Sequence, residues 1–239
     1  MKNFNKIYKS YEIVKYYSKN RNKWSNFYKS EKKVIDQLNI HKDSTILDIG
    51  SACGGLGGAL RKRYKIKSYT GIEINKDAYK FAKSRYKIFK FINSDILNYE
   101  INKKKLSKFN YVFSLGCVDW NFEINRMLKK AWQHVINEGY LVITLRLTDK
   151  SKFKRSYQYI NFSSAMKGEK AFYQVLNIKD LYKKLIKFNI SKIKFFGYWG
   201  KPNPTVITKH KKIFFIALAL KKSSIKKKIS LNSLKKILI

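Results

Sequence analysis

Short apolar stretches alternate along the chain with segments whose apolar residues recur at helical spacing. The clearest helical segment begins at Ile124, keeps its apolar spacing as far as Val135 and has a stop signal at Gly139. Strands that alternate with helices are joined by right-handed crossovers, so this order predicts a parallel sheet. The predicted buried strands are Ser44–Ile49, Tyr69–Ile74, Phe89–Ile92, Tyr111–Leu115 and Tyr140–Leu145.

Both ends of the chain depart from this alternation. Residues 1–43 are rich in aromatic residues and predict a helical extension. Near the other end, Ile178–Phe188 predicts a helix with Asn177 as its N-cap. Two apolar stretches, Ile193–Tyr198 and Ile213–Leu220, then follow with no helix between them, which predicts an antiparallel hairpin. The expected fold class is α/β.

Small and acidic residues stand where the first three predicted strands end. Residues 47–57 read LDIGSACGGLG, and small residues there let the backbone approach a ligand at the carboxyl edge of the sheet. Glu73 closes the second strand, where a carboxylate accepts hydrogen bonds from both ribose hydroxyls. Asp95 follows the third strand, where a carboxylate accepts from an adenine amino group. Together these positions predict a nucleoside site.

The same residues, in the same order, resemble the class I S-adenosylmethionine-dependent methyltransferase family over about Thr45 to Leu145. The resemblance implies a Rossmann-like, seven-stranded, mostly parallel sheet and S-adenosyl-L-methionine as cofactor. Ala52 departs from the family, which usually has a glycine there, and this puts the fine geometry of the turn in question. The cofactor-binding residues that the resemblance implies are Asp48, Gly50, Ser51, Ala52 and Gly54 for the methionine half, Glu73 for the ribose, Asp95 with Ile74 and Ile96 for the adenine, and Leu115 and Gly116 for the sulfonium side.

Charge separates this interpretation from a nicotinamide-dependent enzyme, which also uses a glycine-rich turn and an acidic ribose ligand. Asp48 would put a carboxylate beside the turn that has to hold an anionic pyrophosphate. S-adenosylmethionine has no phosphate and carries an ammonium and a sulfonium, which suit a carboxylate. The sequence therefore favours methyl transfer.

The methyl acceptor is less well defined by the sequence. The fourth strand ends in FSLGCVDW, which lacks both the (Asp/Asn)-Pro-Pro-(Tyr/Phe) pattern of base-amino methyltransferases and a Pro-Cys nucleophile, so Cys117 is interpreted as a packed thiol. Asp119 is the candidate catalytic base or substrate orienter, with a helix cap as the alternative. The candidate substrate-binding residues are Arg146, Arg155, Tyr157 and Trp199. A buried ion pair is the alternative for the arginines, and a plug in the hairpin is the alternative for Trp199.

The formal net charge is +38, yet only seven of the 53 basic residues are arginine. Lysine has AT-rich codons, so base composition of the genome explains much of this charge without a polyanionic partner. The segment after Asp180 holds sixteen lysines and no acid. The basic tail over 221–239 has apolar residues near helical spacing and is compatible with weak peripheral contact with a membrane, but a solvated terminus that reflects codon usage is the favoured interpretation. We divide the chain into the extension over 1–43, the methyltransferase domain over 44–220 and this tail.

Three functions remain open from the sequence. The leading one is an enzyme that methylates an oxygen or nitrogen of a small molecule or glycan precursor. The second is an RNA methyltransferase, for which the lysines would follow the phosphates, and the third is a non-catalytic cofactor-binding relative. Two cysteines, three histidines without ligand spacing and no apolar run long enough for a bilayer predict a cytoplasmic protein without a metal.

Overall fold

The computed structural model describes residues 8, 10–99, 108–149, 156–159, 170–225 and 234. The helices are α1 (Tyr11–Lys19), α2 (Lys29–Ile35), α3 (Gly55–Tyr64), α4 (Lys76–Arg85), α5 (Ile124–Gln133) and α6 (Ile178–Leu185). The strands are β1 (Thr45–Ile49), β2 (Ser68–Glu73), β3 (Lys90–Asn93), β4 (Phe109–Ser114), β5 (Val135–Thr148), β6 (Ser156–Tyr159), β7 (Lys170–Tyr173), β8 (Leu176–Asn177), β9 (Ile190–Gly200), β10 (Val206–Ile207) and β11 (Ile213–Lys222).

One large sheet has the strand order β3-β2-β1-β4-β5-β11-β9, with the short β8 beside β5. Strands β1 to β5 and β8 pair in parallel, whereas β11 is antiparallel to both β5 and β9. The α/β class, the mostly parallel sheet and the C-terminal antiparallel hairpin are thereby confirmed. Parallel strands end at the same edge, so the turns that follow β1, β2, β3 and β4 meet there.

Helices cover both faces of this sheet, which explains why the central strands β1 and β11 are buried at most positions. On β1, Ile46 packs into the same cluster as Ile35 of α2 and Leu60 of α3. The next residue, Leu47, points to the other face and packs with Leu128 of α5 and Leu185 of α6. The alternation buries both faces and fixes the register of β1 between its neighbours.

The predicted stop of the clearest helix at Gly139 is wrong. Helix α5 ends at Gln133, and Val135 begins β5 by pairing with Phe109 of β4. Glu138, and not Gly139, has the left-handed backbone, with a φ of 63°. The pairing of β5 with β4 shifts register between Phe109 and Tyr111 of β4. Strand pairing with β4 thus overrides the helical spacing of Val135.

The segment that follows β5 contributes two strands to a second, three-stranded antiparallel sheet. The order of this small sheet is β10-β6-β7, with Ser156 opposite Tyr173 and Val206 opposite Gln158. Arg155 and most of the predicted tail lie outside the described residues. Across the described ranges, no helix is both long and apolar enough to cross a membrane.

Candidate functional site

A cavity of about 740 Å³ lies at the carboxyl edge of the large sheet. Its wall comes from the turns after β1 to β5, the N-terminal segment and the small sheet. The structure thus brings together most of the residues that the sequence singled out. Those that line the cavity are Asp48, Gly50, Ser51, Ala52, Glu73, Ile74, Asp95, Ile96, Leu115, Gly116, Asp119 and Arg146. Gly54 is the N-cap of α3 beside it.

The turn after β1 depends on glycine at its first position. Gly50 has a φ of +75°, and a Cβ built there would lie 2.4 Å from Sγ of Cys117. The Cys117 side chain therefore packs against the turn, as expected for a packed thiol. Ala52 also has a positive φ, 45°, in the place where the family usually has glycine.

Glu73 holds this turn in place from the end of β2. Its Oε2 accepts the backbone N–H of Ala52 at 2.7 Å, and its Oε1 accepts that of Asn75 at 2.8 Å. Burial raises the pKa of Glu73, and these two N–H groups act in the opposite direction. A carboxylate has about four lone-pair sites, so Glu73 keeps acceptor capacity for a ligand while it fixes the backbone of Ala52.

Asp48 is a second buried acid at the base of the cavity. It is 4% exposed, and its Oδ2 accepts the hydroxyl of Tyr69 at 2.6 Å. Burial raises the pKa of Asp48 to about 7, and the hydrogen bond from Tyr69 lowers it. A cation bound nearby would favour the ionised carboxylate.

The third acid of this wall, Asp95, sits at the rim beyond β3. Its Oδ1 accepts the backbone N–H of Leu97 at 2.9 Å, which fixes the carboxyl group. Ile74 and Ile96 also line the cavity, and Ile96 is buried. The residues implied for the adenine therefore lie on one wall.

This set of residues fits S-adenosylmethionine. Three carboxylates, Asp48, Glu73 and Asp95, face a cofactor that carries an ammonium and a sulfonium and has no phosphate. The Ser51 Oγ, in the same turn, is buried and packs against Gly71 of β2, where a Cβ would lie 2.6 Å from it, so the turn lies close against the sheet.

Asp119 and Arg146 form a buried ion pair on the side of the cavity away from α3. Arg146 donates from Nη2 at 2.6 Å and from Nε at 2.8 Å to the same oxygen, Oδ2 of Asp119. The guanidinium lies 3.6 Å from the ring centre of Tyr173 and 4.5 Å from that of Trp120. Burial raises the pKa of Asp119 and Arg146 lowers it. The ion-pair alternative for Arg146 is thus the one that the geometry shows.

Two candidate substrate-binding residues point elsewhere. Tyr157 packs against Phe172 within the small sheet, with ring centres 6.1 Å apart. Trp199 packs against Phe214 at 5.2 Å, and 39% of it is exposed. Their neighbours in sequence line the cavity instead, namely Gln158, Tyr159, Tyr198 and Gly200.

The N-terminal segment forms a wall of the cavity that the sequence did not predict. The Tyr8 hydroxyl donates to the carbonyl of Trp120 at 2.7 Å. At the other end of the cavity, Nδ2 of Asn75 donates to the carbonyls of Tyr8 and Ser10 at 2.9 and 3.0 Å. The contacts use backbone carbonyls, which leave no pattern in the sequence. The aromatic richness of the extension was the one available signal.

Comparison with known proteins identifies the family of this chain. The family model of a methyltransferase domain matches residues 40–189. Protein 235L of Invertebrate iridescent virus 6, a candidate methyltransferase, is 35% identical over 105 residues, which cover 44% of this chain and 37% of that protein. Ribosomal RNA small subunit methyltransferase A of Malacoplasma penetrans is 26% identical over 135 residues, which cover 56% of this chain and 48% of that protein. The chain thus spans about half or less of these relatives.

A solved structure shares the fold at low sequence identity. Phosphoethanolamine N-methyltransferase 2 of Haemonchus contortus, in complex with S-adenosyl-L-methionine, superposes with a TM-score of 0.58 at 12% identity, over 83% of this chain and 55% of that one. The cofactor of this chain is S-adenosyl-L-methionine. Because the family model covers well over half of the 239 residues and the strand ends carry the expected acids, the chain belongs to the class I S-adenosylmethionine-dependent methyltransferases.

Proposed function

We propose that this methyltransferase transfers a methyl group to an oxygen or nitrogen of a small molecule or glycan precursor. The observation that carries the proposal is the cavity itself, of about 740 Å³, which continues from the cofactor residues to an aromatic wall made by Tyr8, Trp120 and Tyr173. Pockets for small molecules commonly have about 300–1,000 Å³ and mostly apolar walls. The N-terminal segment covers one side, which favours a compact acceptor over a long polymer.

The bound cofactor supplies an electrophilic methyl group, and the chain positions the two reactants. Glu73 and Asp95 would hold the nucleoside, and Asp48 would balance the cationic end of the cofactor. Asp119 orients the acceptor rather than acting as a free base, because Arg146 already occupies its Oδ2. Holding a nucleophile in line with the methyl group supplies much of the rate enhancement.

RNA is the second candidate acceptor. Three observations favour it: the relatedness to ribosomal RNA methyltransferases, the net charge of +38 and the lysine-rich segment after Asp180. The covered cavity argues against RNA, since an enzyme that acts on a base has to admit that base from a polymer.

The two free cysteines, Cys53 and Cys117, support our proposal of a cytoplasmic, reducing location.

Labelled S-adenosylmethionine distinguishes these candidates. The protein is incubated with a cell extract, with and without ribonuclease, and the label is followed into low-molecular-mass and RNA fractions. We expect label in small molecules that persists after ribonuclease. Label that appears only in RNA and is lost after ribonuclease would replace the first candidate by the second.

A further inference from the structure

Two arginine–carboxylate pairs stand at the cavity, and the first is saturated. Arg21 donates from Nη1 to Oε2 of Glu31 at 3.1 Å and from Nη2 to Oε1 at 2.9 Å. The backbone N–H of Tyr28 also donates to Oε2 at 2.8 Å. Both carboxylate oxygens of Glu31, which is fully buried, are therefore in use. This pair fixes the chain between α1 and α2.

The second pair, Arg146–Asp119, is equally buried but incomplete. Both of its hydrogen bonds go to Oδ2, so Oδ1 of Asp119 and Nη1 of Arg146 are left over. Neither atom has a hydrogen-bond partner among the described residues, and both are buried. Buried polar atoms without a partner are costly and uncommon in native proteins. The pair lines the cavity, so a ligand bound there would supply the missing partners of one acceptor, Oδ1 of Asp119, and one donor, Nη1 of Arg146.

The charge of the cavity restricts that ligand. Among the described residues that line it, the bases are Arg21, Arg146 and Lys201, and the two arginines are already neutralised by carboxylates. The acids of the wall are Asp48, Glu73, Asp95 and Asp119. Asp119 is neutralised by Arg146, and the other three acids belong to the cofactor wall, so the acceptor end presents a neutral ion pair and the exposed Lys201. Among the described lining residues, no unpaired arginine is left there to clamp a phosphate or carboxylate of the acceptor.

We infer that the Arg146–Asp119 pair determines acceptor specificity by binding a neutral group that donates one hydrogen bond to Oδ1 of Asp119 and accepts one from Nη1 of Arg146. An amide, a lactam or an amino-substituted heterocycle has this pair of functions. The inference rests on the proposed function and names the chemistry of its acceptor. It also makes this acceptor different from a phosphorylated one.

A set of four aromatic fragments tests the inference: benzamide, benzoate, benzylamine and phenyl phosphate. Each is titrated against the full chain saturated with S-adenosylhomocysteine, and binding is followed by ligand-observed NMR. We expect benzamide to bind most tightly and phenyl phosphate least. Asp119→Asn replaces the carboxylate with an amide, so the affinity for benzamide should fall at least about tenfold, as expected for loss of a hydrogen bond to a charged group. If Asp119→Asn does not fold, the double variant D119N/R146Q, neutral in both members, replaces it.

Glu31→Gln is the matched control, because it neutralises the carboxylate of the saturated pair. It should lower the thermal midpoint and leave benzamide affinity unchanged. Tightest binding of phenyl phosphate, or equal benzamide affinity in wild type and in Asp119→Asn, would overturn the inference. Binding of S-adenosylhomocysteine is measured separately, so a protein that binds the cofactor product but shows no preference for benzamide refutes only this inference. A protein that fails to bind the cofactor product refutes the proposed function.

Discussion

Ala52 has the left-handed backbone that the family normally gives to a glycine, with a φ of 45°. For an alanine this conformation costs about 1–2 kcal/mol. The carboxylate of Glu73 accepts the Ala52 N–H at 2.7 Å and thereby holds the strained residue in place. The departure from the family pattern therefore leaves the turn intact and gives Glu73 a structural role in addition to the ribose binding that we propose for it.

Replacing Ala52 with glycine should stabilise the protein. Glycine adopts a positive φ without the steric cost, so we expect the free energy of unfolding to rise by about 1 kcal/mol. Urea denaturation of the cofactor-free protein measures this change in the free energy of unfolding. Ala82→Gly, in the buried interior of α4, is the matched control and should destabilise by about 1 kcal/mol or more. Equal shifts in both variants would show that Ala52 is not strained.

Glu73→Ala should weaken S-adenosylmethionine binding by roughly ten- to a hundredfold, because it removes a charged hydrogen-bond acceptor. It should also lower stability, since the N–H groups of Ala52 and Asn75 lose their partner. Isothermal titration calorimetry and thermal denaturation separate the two effects. Asp43→Asn removes an exposed acid, paired with Lys67, and should change neither. Unchanged affinity in Glu73→Ala would exclude it from the cofactor site.

Asp48 makes the stability of the cofactor-free protein depend on pH. Its ordinary pKa is 3.8 and burial raises it to about 7, so the folded state retains a proton that the unfolded state has lost. The contribution of Asp48 to stability is therefore full below about pH 4 and is lost as pH rises to about 7, by up to about 4 kcal/mol. Asp48→Asn keeps a neutral side chain and should lack this decline. Urea midpoints of both proteins between pH 4 and 8 test it, and parallel curves would contradict the assigned pKa.

At the scale of elements, the N-terminal segment connects the two ends of the cavity. Tyr8 contacts Trp120 near Asp119, and its carbonyl binds Asn75, two residues after Glu73. Two further hydrogen bonds attach α1 to the domain. The Cys53 thiol donates to the carbonyl of Val14 at 3.8 Å, and Arg85 donates to the carbonyl of Ser18 at 3.3 Å. We therefore expect release of the cofactor product to be slowed by the contacts that hold this segment.

Tyr8→Phe removes only the hydroxyl that bonds to Trp120. One neutral hydrogen bond contributes about 0.5–1.5 kcal/mol, so S-adenosylhomocysteine should dissociate about two- to tenfold faster. Stopped-flow measurement of dissociation tests this. Tyr11→Phe is the control, because Tyr11 lies in the same segment but is 59% exposed. Equal rates in Tyr8→Phe and wild type would show that the segment does not retain the ligand.

The sequence predicts these elements well where the signal is local. The apolar strands and the Asn177 cap depend on neighbouring residues, and the cap accepts the N–H of Asp180 at 2.8 Å as expected. Acids at strand ends converge because parallel strands share an edge, so Glu73 and Asp95 were identifiable. The pairing of Asp119 with Arg146, 27 residues later, and of β6 with β10 depends on long-range contacts that no local pattern records.

At the scale of the whole molecule, charge is distributed unevenly. The chain has 53 basic residues, yet the described wall of the cavity contains one lysine, the exposed Lys201. The two arginines of the wall are paired with acids. The positive field thus belongs to the outer surface, where it attracts polyanions without sequence recognition.

Nonspecific binding of RNA should therefore be separable from the cofactor site. Counterion release drives such binding, and a single-stranded footprint of about six phosphates loses about 300-fold in affinity between about 50 and 200 mM salt. Because the lysines lie outside the acidic cavity, saturating S-adenosylhomocysteine should leave the affinity unchanged at each salt concentration. Fluorescence anisotropy with a labelled single-stranded oligouridylate, with and without S-adenosylhomocysteine, measures both properties. The double variant D119N/R146Q alters the cavity alone and should bind this RNA like wild type. RNA affinity that persists at 200 mM salt and rises when the cofactor product is bound would mean that the two sites are coupled, and RNA would then become the favoured acceptor.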